Sequence, residues 1–124
     1  VLHNGIRGDS TYKTYDQQVA LIKTIGFDGV EINQIDSFAG MKAALDKHQF
    51  PGSYFYVRLD LDSSIDARLA ECLTALRGSR TIVAPYIVSK TYGSSARKGD
   101  SVAVRLVRQL AELAGQQKLD VALY

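Results

Sequence analysis

Ser53-Tyr54-Phe55-Tyr56-Val57-Arg58-Leu59-Asp60-Leu61-Asp62 is the stretch that decides the fold. Phe55, Val57, Leu59 and Leu61 alternate strictly with Tyr56, Arg58, Asp60 and Asp62. Side chains that repeat every second residue belong to a β-strand, one face of which is apolar. Pro51-Gly52 punctuates the chain just before it. Two more short runs read the same way: Phe27 to Asn33 before it and Thr81 to Val88 after it. Phe27, Tyr54 and Thr81 are each 27 residues apart. Pro85 has no N–H for a ladder, so a bend or bulge is expected there. Asp120 to Tyr124 begins a further strand.

Helical runs fill the intervals. Tyr15, Val19, Ile22 and Ile25 make one apolar stripe over residues 14–25, with Thr14 and Gln17 as the two halves of a capping box. Gly26 follows at the C′ position, where a left-handed backbone costs least. A second helix is expected from about Ser37 to His48, carrying Phe38, Met41 and Leu45. A third is expected from Ser63 or Ser64, with Ile65, Leu69, Cys72 and Leu76, closed by Gly78. A polar loop runs from Ser89 to Gly99, and Asp100 or Ser101 opens a fourth helix, with Ala103, Leu106, Leu110 and Leu113 inward. Strands alternating with helices imply an α/β fold, a parallel sheet with crossover helices. Two closures satisfy the pattern: part of a (β/α)8 TIM barrel, or an open doubly wound sheet. A whole barrel takes about 250 residues, so on the barrel closure these 124 residues, one domain over residues 1–124, are expected to supply only about half of one. The opening Val1-Leu2 without Met and the apolar close at Val121-Ala122-Leu123-Tyr124 accord with that expectation.

Composition excludes several classes. Hydrophobic residues make up 46% and the net charge is only +2, which sets the chain apart from disordered segments. No apolar run approaches ~20 residues, the span of a membrane helix. The single cysteine, Cys72, forms no internal disulfide framework or cysteine-rich zinc site. Fifteen basic residues against 13 acidic ones give no basic footprint for nucleic acid. Asn4-Gly5-Ile6-Arg7-Gly8 lacks the glycine spacing of a dinucleotide fingerprint, and there is neither a Gly-Lys-Ser/Thr phosphate loop nor a Gly-x-Ser-x-Gly elbow. The expectation is a soluble protein, cytoplasmic or secreted after removal of a signal peptide.

Gln18-Val19-Ala20-Leu21-Ile22-Lys23-Thr24-Ile25-Gly26-Phe27-Asp28-Gly29-Val30-Glu31-Ile32 resembles the helix-Gly-aromatic-Asp-Gly-Val-Glu segment of xylose-isomerase-like TIM barrels, the sugar phosphate isomerases/epimerases. Leu110-Ala111-Glu112-Leu113-Ala114-Gly115 through Val121-Ala122-Leu123 resembles the helix leading into that family's mid-barrel strand. The resemblance implies that the chain is the first four to five βα units of a longer barrel, and that the parent protein carries out proton transfer beside a carbonyl of a sugar or related polyol, often assisted by a divalent metal. It assigns no metal ligand or catalytic residue to this segment, because Tyr124 stands where the family's first metal-binding Glu is expected. Two alternatives stand beside it: a non-catalytic carbohydrate-binding or structural barrel protein, and a doubly wound α/β binding domain.

In a barrel the active site lies at the C-terminal ends of the strands. That rule selects His3, Asn4 and Arg7 after the first strand, Glu31 in the second, Arg58 and Asp60 in the third, Tyr86 and Lys90 at the fourth, and Tyr124 at the fifth, all as substrate contacts. Each has a structural competitor. His3 can be a first-strand residue satisfied by its neighbours, and Glu31 can serve a structural salt bridge. Arg58 and Asp60 share a face and can pair with each other. Lys90, Arg97 and Lys98 can grip a sugar phosphate or form a solvated loop. His48, on a helix boundary, reads as structural, and Cys72 as a small core residue. The expected partners are a small sugar or polyol, with the remainder of the chain or a second copy covering the open sheet edge, and neither nucleic acid nor membrane.

Overall fold

The structure is a computed structural model, and it describes residues 6, 8–94 and 96–123. Its elements are α1 (Tyr15–Thr24), β1 (Val30–Asn33), α2 (Ile35–Lys47), β2 (Gly52–Asp60), α3 (Leu69–Ala75), β3 (Ile82–Val88) and α4 (Arg97–Gln116). The strands form an open parallel sheet in the order β1-β2-β3. Beyond β3, Val121 makes a parallel bridge to Val83, with the Val83 N–H donating to Asp120 at 2.8 Å and the Ala122 N–H donating to Val83 at 3.0 Å. Consecutive strands are therefore neighbours throughout the described sheet, and its order nowhere reverses.

The alternation read from β2 separates the two faces of the sheet. Phe55, Val57 and Leu59 are all at most 2% exposed, and Ile32 and Val83 flank Phe55 in register on the same face. The helices cover this side, α2 lying against β1 and β2 and α4 against β2 and β3. Phe38 of α2 meets Phe55 ring to ring at 5.0 Å and 55°, a tilted arrangement that aromatic quadrupoles favour. The opposite face carries Asn33, Tyr54, Tyr56, Arg58, Asp60 and Tyr86. These range from half-buried to exposed, and the Tyr54 and Tyr56 rings lie stacked at 6.1 Å.

Local signals explain some boundaries and tertiary contacts the others. At α1 the capping box is complete: Thr14 Oγ1 accepts from the Gln17 N–H and Gln17 Oε1 from the Thr14 N–H. Gly26 follows with φ +89°, and Gly78 closes the α3 region at φ +73°. Three helix starts differ from the sequence reading. α2 begins at Ile35 rather than Ser37, with Gln34 as an N-cap that makes no side-chain cap bond. α3 begins at Leu69, not at Ser64, because Asp66 Oδ1 accepts the Arg68 N–H at 2.9 Å and turns the chain there. α4 begins at Arg97 instead of Asp100 or Ser101. Gly99 is buried, and a Cβ on it would stand 3.3 Å from Leu61 and Tyr92, so its first turn is set by packing. β1 starts at Val30 rather than Phe27, and its register with β2 shifts between Val30 and Ile32.

Candidate functional site at the C-terminal edge of the sheet

Ligands of parallel α/β sheets bind beyond the carboxyl ends of the strands. At that edge lies a cleft of about 460 Å³, walled by the ends of β1 and β2 and the segment entering α3. Arg58 and Asp60 reach it from β2, two residues apart on the uncovered face, and Arg58 Nη2 donates to Asp60 Oδ2 at 2.9 Å. The pairing expected as their structural alternative is therefore present, and it fixes both groups at the mouth. Both are part-exposed, so the pair contributes about 0–1 kcal/mol to stability.

Gln34 follows β1 directly and has φ 71° and ψ 157°. A side chain at positive φ with ψ near 160° occupies a region that is almost exclusively glycine's, at a cost of order 1–3 kcal/mol. Its Nε2 donates to Tyr86 Oη at 2.6 Å, a bond that crosses over β2 to β3. Exchanging Gln34 for Gly and for Ala separates the two effects. Both variants lose the amide, and only Gly relieves the backbone. Gln34→Gly is expected to be more stable than Gln34→Ala by about 1 kcal/mol, after glycine's own entropic cost of roughly 0.5–1 kcal/mol. Equal urea midpoints for the two variants would remove the strain from the account.

On the far wall, Arg68 binds two carboxylates. Its Nη2 donates to Asp66 Oδ2 at 2.6 Å and its Nη1 to Asp36 Oδ1 at 2.8 Å, tying the starts of α2 and α3 together. Asp66 is held below the ordinary carboxylate range by the Arg68 side chain first and the Arg68 N–H second. Behind β2, Asp62 Oδ2 accepts from Ser89 Oγ at 3.0 Å, the Lys90 N–H at 2.5 Å and the Thr91 N–H at 3.3 Å. The Thr91 hydroxyl, the Lys90 N–H, the Ser89 hydroxyl and the Thr91 N–H lower its carboxyl from 3.8 to about 2. The anion is thus the bonded form. The fastening of residues 89–92 is complete above the free value of 3.8 and is lost as pH falls through about 2. A carbon-detected titration of Asp62 is expected to give a midpoint near 2, and one near 4 would mean that the loop is not held this way.

The sequence-selected residues divide into three groups. Arg58 and Asp60 line the cleft, and Tyr86 joins its rim through Gln34. Glu31 alternates with buried Val30 and Ile32 and so lies on the uncovered face, half-buried, outside the cleft lining; exposed Lys90 is outside it too. His3, Asn4, Arg7 and Tyr124 lie outside the described residues. Sequence reasoning missed Gln34, Asp36, Asp62, Asp66 and Arg68. His48, capping α2, sits 2.7 Å from Asp16 Oδ1 by its Nε2, a link between α1 and α2. Cys72 is buried, and burial pushes its thiol up.

Among the described residues no three His, Cys, Asp or Glu side chains come together as a metal site. The carboxylates of Asp36, Asp60, Asp62 and Asp66 are each engaged by a guanidinium or by N–H and O–H donors. So engaged, the carboxylates of the described edge do not fit a divalent metal. No described helix is long and apolar enough to cross a membrane. In comparisons with known proteins, no family model, no curated protein and no solved structure matches this chain.

Proposed function

We propose that the chain is part of a (β/α) barrel of the xylose-isomerase-like kind, and that it holds a sugar or related polyol at the C-terminal edge of its sheet. The single observation that carries this reading is the cleft lined by Arg58 and Asp60, with fixed donors and acceptors on a face opposite the one that α2 and α4 cover. The unreversed order of the described strands is compatible with the barrel and with one half of a doubly wound sheet. The family resemblance favours the barrel, in which right-handed crossovers between successive neighbours place the helices on one side. The uncovered face then becomes the inner wall. A sugar's vicinal hydroxyls both donate and accept, which suits an Arg beside an Asp and an amide beside a phenol.

The resemblance adds an isomerase or epimerase reaction, proton transfer beside a carbonyl. A second reading, a non-catalytic carbohydrate-binding barrel, is favoured by one observation. The edge carboxylates are committed to internal donors, and Asp62 and Asp66 are held in the ionised form. Titration calorimetry with D-xylose, D-xylulose and D-fructose tests the binding that both readings share. Incorporation of solvent deuterium beside the carbonyl separates them: exchange above the buffer rate supports the enzyme, and binding without exchange supports the binding protein. Absence of binding by all three sugars overturns both.

A further inference from the structure

We propose that the C-terminal edge of the sheet selects uncharged polyols over their phosphate esters, with Asp60 in the cleft and Asp62 beside it, outside the lining, as the residues that set this specificity. The proposal rests on the reading of this edge as a sugar site and names the class of sugar. Two features of the edge have the chemistry to bind an anion, and the chain's own carboxylates occupy both.

The first is the pair of guanidiniums. Arg58 bonds Asp60 through Nη2 at 2.9 Å. Arg68 bonds Asp66 through Nε at 3.1 and 3.2 Å and through Nη2 at 2.6 Å, and Asp36 through Nη1 at 2.8 Å. The lining thus sets three carboxylates against two guanidiniums. A phosphate that took Arg58 from Asp60 would leave that carboxylate, still accepting the Asp62 N–H at 3.1 Å, without its counter-charge beside a dianion, in a position where like charges repel.

The second feature is the turn after β3. Successive backbone N–H groups form the kind of concavity that cradles phosphate. Here the Lys90 and Thr91 N–H groups donate to Asp62, and the Thr91 and Tyr92 N–H groups donate to Ser89 Oγ at 3.0 and 2.9 Å. The nest is filled from within. A neutral hydroxyl meets neither obstacle. It can donate to an Asp60 oxygen and accept from an Arg58 N–H not used by Asp60, bridging the pair without separating it.

The test is calorimetric titration of the chain with D-fructose and D-xylulose, with D-fructose 6-phosphate and D-xylulose 5-phosphate, and with inorganic phosphate alone. The neutral sugars are expected to bind at least tenfold more tightly than their esters. Asp60→Asn, which keeps the shape but releases the Arg58 charge, is expected to narrow that ratio at least tenfold. Asp62→Asn is expected to do the same by opening the nest, with circular dichroism reporting that the fold persists. If Asp62→Asn does not fold, Asp60→Asn carries the test alone. Esters that bind as tightly as the neutral sugars overturn the selectivity and leave the sugar site standing. An unchanged ratio in Asp60→Asn overturns that residue's role. Binding by no member of the panel overturns the sugar site itself, and the selectivity with it.

Discussion

Phe55→Ala is expected to destabilise the chain by about 3–5 kcal/mol, whereas Tyr56→Ala, one residue along the same strand, costs much less. Phe55 has no exposed surface, lies on the central strand, and is flanked in register by Ile32 and Val83 with Phe38 on top. Removing its ring loses the transfer free energy and leaves a cavity whose walls are two strands and a helix. Tyr56 points the other way, away from the face that α2 and α4 cover, and stacks on Tyr54. Against a typical total of roughly 5–15 kcal/mol, the first loss is a large share of the stability. Urea unfolding of the two variants measures the contrast. Comparable losses would mean that the core is not confined to the helix-covered face.

Arg58→Ala is expected to leave the fold intact and to weaken sugar binding by roughly 10- to 100-fold. The side chain is 52% exposed and, among the described residues, its ion pair is with Asp60. Stability therefore changes by about 1 kcal/mol or less. Hydrogen bonds to charged groups are worth about 1.5–3 kcal/mol, and a tenfold change in affinity is 1.4 kcal/mol. The same substitution in Arg68, on the opposite wall and already doubly bound, is expected to cost less affinity. Calorimetry checks the binding and thermal melting the fold. Unchanged affinity in Arg58→Ala would take that guanidinium out of the site.

These two substitutions sit in the part of the chain that is plainest to read. Strict alternation in residues 53–62 assigns each side chain to a face, and burial follows it: Val57 and Leu59 inside, Arg58 and Asp60 on the open side. Thr14 with Gln17, and Gly26 after Ile25, announce the ends of α1 because capping and positive φ are local matters of one or two residues. Other boundaries are decided at a distance. Gly99 weakens any helical reading of residues 97–100, yet its missing Cβ admits Leu61 and Tyr92 and anchors the first turn of α4. Ser64 looks like a cap, but Asp66 takes that part in the turn before α3 and leaves residues 63–67 to wall the cleft.

The site was half legible for the same reason. Arg58, Asp60 and Tyr86 come from strands, whose C-terminal ends can be located from periodicity alone. Asp36, Asp66 and Arg68 come from a first helical turn and a loop, and they meet only when α2 and α3 are docked. Gln34 lies one residue beyond the predicted end of its strand, so extending the same end-of-strand rule by a single position finds it. Its glycine-like backbone has no counterpart in residue type. Asp62 was read as part of the β2 alternation, and its partners at Ser89, Lys90 and Thr91 are 27 to 29 residues away.

On the proposed reading the ligand binds at the uncovered C-terminal edge and not on the helical side. Titrating the isotope-labelled chain with D-xylulose and following backbone and side-chain resonances tests it most directly. Shifts are expected to concentrate at Asn33, Gln34, Arg58, Asp60 and Tyr86, with the signals of Phe38, Ala43, Cys72 and Leu110 left in place. Shifts confined to the groove between α2 and α3, where Phe38, Ala43 and Cys72 lie, would contradict it.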